Sequence, residues 1–102
     1  MPRATLLLRQ KFIDENGNLS EMVVWQTPTT VNVASGVRYR LAFVRREEER
    51  PTVLYDNHPP KGDHRHVEGV EEPYRFVDVD RLLADFVADV QRITGDAKWP
   101  GR

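Results

Sequence analysis

The sequence predicts an α+β domain: an antiparallel sheet of four to five strands in a meander, covered on one face by a C-terminal amphipathic helix. Segments with strand character follow one another and are separated by turn signals. The single clear helical stripe comes last, and a lone amphipathic helix needs an apolar sheet face to cover. A chain of 102 residues suits one domain. We expect it to span residues 1–95, with a flexible tail over residues 96–102.

The first two strands are predicted to form a hairpin. Arg3 to Ile13 is rich in leucine, and Leu19 to Gln26 has an apolar centre. Between them, Asn16-Gly17 favours the positive φ angles of a tight turn. Pro28 lacks a backbone donor and ends the second strand. Residues 29–36 show no period and are predicted to be an irregular loop.

The clearest strand is Val37 to Val44, where apolar side chains alternate with Arg38 and Arg40. The charged run from Arg45 to Pro51 is predicted to be a solvated hairpin loop. Thr52 to Asn57 resumes the strand pattern, and Asp63 to Val67 is predicted to be a short extended segment. Residues 68–73 are predicted to form a turn.

The helix is predicted from Val79 to Ile93, where apolar residues recur at three- and four-residue steps. Asp78 is placed to cap its start, and Gly95 offers a left-handed stop. Trp99 follows the helix and is able to dock onto the body of the domain. Three aromatic residues of the predicted strands are expected to be core: Trp25, Tyr39 and Phe43.

Composition excludes several classes of protein. Fifteen Lys and Arg against sixteen Asp and Glu give a net charge of −1, so any nucleic-acid site must be local. Without cysteine there are no disulfides, thiolate zinc sites or thiol nucleophiles. The longest N-terminal apolar run is Leu6 to Leu8, far below the ~20 residues that span a bilayer. We expect a soluble, cytoplasmic protein with no membrane partner.

Chemistry-bearing side chains concentrate between Tyr55 and His66, a segment that contains all three histidines: His58, His64 and His66. In an extended segment His64 and His66 point to one face, while Asp63 and Arg65 point to the other. An imidazole has an ordinary pKa of ~6.5, so a pair of them suits general acid and base catalysis.

Several other residues are candidates for the same site. Asp56 or Asp63 is placed to orient an imidazole, and cationic groups suit phosphate binding. The candidate substrate-binding residues are Lys61, Arg65, His58, Tyr55, Arg38 and Arg40. Two alternatives stay open: a divalent metal held by His64, His66, His58 and Asp56 or Asp63, or a polar loop without chemistry.

Five stretches of this sequence resemble the TumE family of small prokaryotic proteins. They are EMVVW at 21–25, YDN at 55–57, KGDHRH at 61–66, EEPYRF at 71–76 and LLADF at 82–86. The resemblance implies the toxin of a type II toxin–antitoxin pair, whose partner is an antitoxin of helix-turn-helix type. RNA is the commonest substrate expected of such a toxin, and its 2′-hydroxyl provides the nucleophile.

The leading hypothesis is therefore a toxin that acts on RNA, a candidate endoribonuclease, with His64 and His66 as the catalytic pair and no cofactor. The first alternative is a noncatalytic protein-binding module. The second is a metal-dependent hydrolase or nucleotidyltransferase at the same segment. Because one helix cannot shield both faces of the sheet or its edges, we also expect a homo-oligomer.

Overall fold

The computed structural model describes residues 3–31 and 33–101, and it confirms the α+β class. The strands and the helix have the following bounds: β1 Thr5–Ile13, β2 Leu19–Gln26, β3 Val37–Val44, β4 Val53–Asp56, β5 His64–Val67, β6 Val70–Pro73 and α1 Val79–Thr94. The strands lie in the sheet in chain order, β1 to β6, and all neighbours are antiparallel. The sheet is thus the predicted meander.

The predicted count of four to five strands is wrong, because the sheet has six. The extra strand, β6, lies within residues 68–73, which were predicted to be only a turn. The turn itself is confined to Glu68 and Gly69, which have φ angles of 50° and 82°. A two-residue hairpin turn needs such positive φ values, and glutamate gives little signal for one.

The β1–β2 hairpin is confirmed around Gly17, whose φ is 84°. The Asp14 side chain caps the turn by accepting hydrogen bonds from the backbone nitrogens of Asn16 and Asn18, at 2.9 and 3.0 Å. The β1 register shifts between Leu6 and Leu8, which marks a bulge in this edge strand.

One side of the sheet carries the hydrophobic core, and α1 packs on that side. Its fully buried side chains come from the strands and from the helix: Val24, Leu41, Phe43, Val53, Tyr55, Leu82, Phe86 and Val90. The predicted helix start is confirmed, since Asp78 accepts a hydrogen bond from the backbone nitrogen of Arg81 at 2.7 Å. Gly95 ends the helix with a φ of 72°, also as predicted.

Trp99 docks on the body of the domain, where it is 3% exposed. Its ring lies edge-on to Phe43 at 5.6 Å and near Phe86 at 6.2 Å, and its Nε1 donates to Asp14 at 3.2 Å. The segment that follows α1 therefore completes the core between β1, β3 and α1.

Some sequence predictions reach beyond the described residues. The predicted domain includes Met1 and Pro2, the predicted loop over residues 29–36 includes Asn32, and the predicted tail includes Arg102; these four lie outside the described residues. Among the residues that are described, no helix is long and apolar enough to cross a membrane.

The sheet side opposite α1 is here called the open face. Its central row crosses four strands through Val23, Arg40, Asp56 and His64, which are direct partners in the register. Directly opposed residues of antiparallel strands project to the same side, so these side chains share the open face. Polar and charged groups dominate this row.

Candidate functional site

Because side chains alternate along β5, the residues of the histidine-rich segment project to both faces of the sheet. His64 is opposite Asp56, and His66 is opposite Leu54, both on the open face. Arg65 lies between them in the strand and projects towards α1. The prediction that His64 and His66 share a face, with Arg65 on the other, is confirmed.

The two β5 histidines form a close pair. Their ring centroids are 5.2 Å apart and the rings meet edge-to-face at 77°. His64 is only 8% exposed, and its Nδ1 lies 2.8 Å from the backbone oxygen of Gly62. Because a carbonyl oxygen only accepts, Nδ1 is the donor, and the neutral ring keeps its free lone pair on Nε2.

His66 is more accessible and faces a carboxylate. Its side chain is 30% exposed, and its Nε2 lies 3.4 Å from Oε1 of Glu71 on β6. The Lys61 ammonium is 2.6 Å from the same oxygen, and this hydrogen bond lowers the pKa of Glu71. A carboxylate is thereby held beside the His66 ring, and Lys61 is brought to the open face.

The third histidine lies in the β4–β5 connection beside β3. Nδ1 of His58 is 3.0 Å from Nη2 of Arg38. Since a guanidinium only donates, this ring nitrogen is the acceptor. Asp56 accepts a hydrogen bond from the backbone nitrogen of His58 at 2.8 Å, which fixes the start of the connection. The structure therefore brings His58, Arg38, Arg40 and Asp56 to the same face as the histidine pair.

Two other predicted site residues, Tyr55 and Arg65, lie on the helix side. Tyr55 is fully buried, and its hydroxyl donates to Asp89 of α1. Arg65 is 3.0 Å from Asp89, 3.1 Å from the Tyr55 hydroxyl and 2.5 Å from Glu72. Burial, together with the bond to Asp89, raises the pKa of Tyr55, and the bond to Tyr55 raises that of Arg65. These residues fasten β5 to α1.

Asp63 is also separated from the histidine pair. Its Oδ1 accepts a hydrogen bond from the Tyr39 hydroxyl at 2.6 Å. Tyr39 belongs to the core and stacks on Phe76 with the ring centroids 5.6 Å apart. The structure thus places Asp63 at the margin of the core, where it anchors the loop before β5.

Trp25 is the aromatic residue that sequence reasoning misplaced. It was expected in the core, as were Tyr39 and Phe43; those two are in the core, but Trp25 is half-buried on the open face opposite Arg38. The Arg9 guanidinium lies 5.9 Å from its ring centroid. Met22 and Val24 are buried on the core side of β2, and the two-residue period of the strand turns Trp25 to the other side.

Two depressions lie on the open face. One, of about 800 Å³, is lined by His66 and Leu54 together with the charged β3–β4 loop, including Arg45 and Arg50. The other, of about 490 Å³, is lined by Trp25, Arg38 and Arg40 among others. We call the second depression the Trp25 pocket. A ligand that spans both depressions would contact Arg40 at one end and His66 at the other.

The predicted metal alternative has little geometric support in residues 3–31 and 33–101. No group of three or more histidine and carboxylate side chains there is arranged to hold an ion. Nδ1 of His58 is engaged by Arg38, and Asp63 is engaged by Tyr39. His64 and His66 lie close together and Glu71 lies beside His66, but these side chains are not arranged as a closed site.

Comparison with known families supplies the remaining evidence. A family model described as Toxin TumE matches residues 3–94, which is nearly the whole chain. No curated protein and no solved structure matches this chain. The match extends from β1 to the end of α1 and includes every residue of the open face described above. The chain belongs to the TumE family of toxins.

Proposed function

We propose that this protein is the toxin of a type II toxin–antitoxin pair and that it cleaves RNA on its open face, with His64 and His66 as base and acid. Membership of a toxin family supports the toxin role. The observation that carries the reaction is the pair of imidazole rings 5.2 Å apart on a face that also holds Arg38 and Arg40.

The chemistry needs two proton transfers and no added reactant. The base removes the proton of an RNA 2′-hydroxyl, whose oxygen attacks the adjacent phosphorus. The bond from phosphorus to the 5′-oxygen breaks, and the acid gives that oxygen a proton. Nε2 of His64 has the free lone pair that a base requires, since Nδ1 is bound to Gly62. His66, beside the Glu71 carboxylate, is the donor.

Phosphate binding is assigned to Arg40 and Lys61, with Arg38 and His58 beside them. Arg40 forms no ion pair among the described residues and stands in the same row as His64. Lys61 is paired with Glu71, but both side chains are exposed, at 53% and 40%. Such a surface pair contributes little to stability, so an incoming phosphate can compete for the ammonium. Tyr55, Arg65 and Asp63 are not part of this proposal.

Growth inhibition and cleavage of purified single-stranded RNA test the proposal together. His64→Ala and His66→Ala should each reduce the cleavage rate by about 100-fold or more and relieve toxicity. Arg81→Gln is the matched control, because Arg81 is an exposed basic residue on α1, away from the open face. Full toxicity of the double histidine variant in a folded protein would overturn the catalytic role and favour a protein-binding module.

The toxin family implies an antitoxin partner, and we propose that this antitoxin has a helix-turn-helix fold and that the pair acts in the cytoplasm, where RNA is accessible. The reading frame adjacent to the toxin gene should encode it. Coexpression of that frame should restore growth, whereas a frame without this effect would contradict the pairing.

We also propose that the protein forms a homo-oligomer through β1. This strand lies at one edge of the sheet and carries exposed apolar side chains: Leu6 at 42%, Leu7 at 47% and Ile13 at 69%. An uncovered edge of this kind offers unpaired backbone groups and apolar surface to another strand. A second copy of the chain has a matching edge.

A further inference from the structure

We infer that the Trp25 pocket is a base-stacking subsite that selects single-stranded over double-stranded RNA. This inference rests on the proposed RNA substrate, but it concerns binding rather than cleavage. Nothing in the histidine pair requires such a subsite, and most of the residues that line it lie on β2 and β3, none of them on β5.

The pocket combines an aromatic surface with positive charge. Its volume is about 490 Å³, and Trp25, Val23, Arg38 and Arg40 contribute to its lining. The indole offers a flat surface on which any base can stack, and the guanidinium groups offer donors to the phosphates on either side. This is the combination by which proteins bind single strands without reading their sequence.

The charged residues that line the pocket are both basic, Arg38 and Arg40. Among the described lining residues there is no aspartate or glutamate. Arg9 adds a guanidinium 5.9 Å from the centroid of the Trp25 ring. Arg38 has a histidine rather than a carboxylate as its partner, and its Nε has no hydrogen-bond partner within the described structure. An anionic polymer is therefore the occupant that this surface complements best.

The position of the pocket fits a strand that runs across the sheet. Trp25 is on β2 and His64 is on β5, three strands away. With about 4.8 Å between neighbouring strands, the two sites are roughly 14 Å or more apart. A nucleic-acid strand that reaches both must therefore span several nucleotides and pass over Arg40. In a duplex the bases are paired and stacked on one another, so they cannot stack on the indole.

Tryptophan fluorescence tests the inference without any cleavage. The probe is a 2′-O-methyl uridine oligonucleotide, which lacks the free nucleophile and stays intact. Trp25 and Trp99 are the two tryptophans of the chain, and Trp99 is only 3% exposed, so quenching reports mainly on Trp25. We expect quenching by the single strand and none by the same strand annealed to its complement.

Two substitutions separate stacking from charge. Trp25→Ala should weaken single-strand binding by about 10-fold or more, while Trp25→Phe should keep most of the affinity. Arg40→Gln, at an exposed position, should weaken binding and reduce its salt dependence. Arg81→Gln should leave affinity unchanged. If circular dichroism shows that Trp25→Ala is unfolded, the fluorescence quenching of the wild type and the affinity of Arg40→Gln still test whether the pocket binds a single strand.

The outcomes are distinct from those of the cleavage test. If the single strand quenches the fluorescence and Trp25→Ala weakens binding, but no RNA is cleaved, the subsite is supported and the catalytic proposal is overturned. Cleavage with unchanged Trp25→Ala affinity would overturn the subsite alone. A change in the mass of the free protein on Trp25→Ala would identify a contact between copies of the chain, and it would also overturn the inference.

Discussion

Arg65 and Asp89 form an ion pair, with Nη1 and Oδ2 3.0 Å apart, that ties β5 to α1 directly behind the histidine pair. Asp89 is a buried residue with a side chain only 11% exposed, and it also accepts a hydrogen bond from Tyr55. The strand that carries His64 and His66 on one face is thus fixed from its other face. The contacts of Asp89 with Arg65 and Tyr55 inside the domain therefore set the position of the two histidines on the open face.

Replacing Arg65 should therefore destabilise the fold. Arg65→Met leaves the Asp89 carboxylate without its main partner, which costs about 3 kcal/mol for a largely buried pair. This loss of stability lies towards the low end of the range for buried pairs, because the Arg65 side chain is 31% exposed and Arg92 remains 3.1 Å from Asp89. Urea denaturation measures it.

The double variant Arg65→Met, Asp89→Leu provides the control for that experiment. It removes both charges and should recover much of the lost stability, because no unpaired carboxylate remains. A loss below about 0.5 kcal/mol for Arg65→Met would show that the ion pair does not hold β5 against the helix.

Phe86 is the central helix side chain of the core, with no exposed surface and edge-on contacts to Tyr55 at 5.9 Å and Trp99 at 6.2 Å. Phe86→Ala should lower the free energy of unfolding by about 3–5 kcal/mol, since it removes the ring and leaves a cavity. Ala84→Ser on the exposed side of α1 is the control. A loss under about 1 kcal/mol would contradict the packing of α1 on the sheet.

Most elements of the fold could be predicted because their signals are local. The alternation in Val37–Val44 and the helical stripe that ends near Ile93 each report which side chains are buried. The sixth strand was missed because the turn before it depends on a positive φ at Glu68, and a glutamate does not indicate a positive φ. The open-face position of Trp25 was hidden by the continuous apolar run around it.

The candidate site was predictable only in part, for a similar reason. The shared face of His64 and His66 follows from the two-residue period of a strand. The engagement of Arg65 by Asp89 joins residues 24 positions apart, and no local pattern indicates that contact. A basic residue between two histidines was therefore assigned to phosphate, whereas the structure binds it to the helix.

The tyrosines should make stability fall at high pH. Burial first, and then hydrogen bonds to Asp63, Asp89 and Asp85, raise the pKa values of Tyr39, Tyr55 and Tyr74. Unfolded phenols ionise near pH ~10, so above that pH the unfolded state releases protons that the folded state retains. Stability is thus complete below about pH 10 and decreases as the pH rises towards the folded-state pKa values.

Urea denaturation across this alkaline range measures the effect, and Tyr74→Phe should reduce its slope because one raised phenol is removed. Tyr74 is chosen because it is half-buried and its ring can be kept in place by phenylalanine. Equal slopes for the wild type and Tyr74→Phe would contradict the assignment of the alkaline loss to these tyrosines.

Self-association through β1 should be visible by light scattering. We expect a mass above that of one chain that falls on dilution, and Leu7→Glu should shift the protein to the monomer, because charge on an edge strand opposes strand pairing. Val77→Glu is the control, since Val77 is 60% exposed but lies between β6 and α1. A monomer at all concentrations would exclude β1 as an interface.

RNA cleavage should persist after treatment with a chelator and should rise and then fall with pH. The first expectation follows from the geometry, because no group of three or more described histidine and carboxylate side chains, His64 and His66 included, is arranged to hold an ion. The second follows from the mechanism, in which one ring must accept a proton while the other still holds one. Initial rates of RNA cleavage, measured with and without chelator over a pH series, check both.

His66→Ala should remove one limb of the pH profile as well as most of the rate. Loss of activity in chelator, with recovery on adding back a single divalent ion, would contradict acid–base catalysis by the pair and favour neutral imidazoles acting as metal ligands.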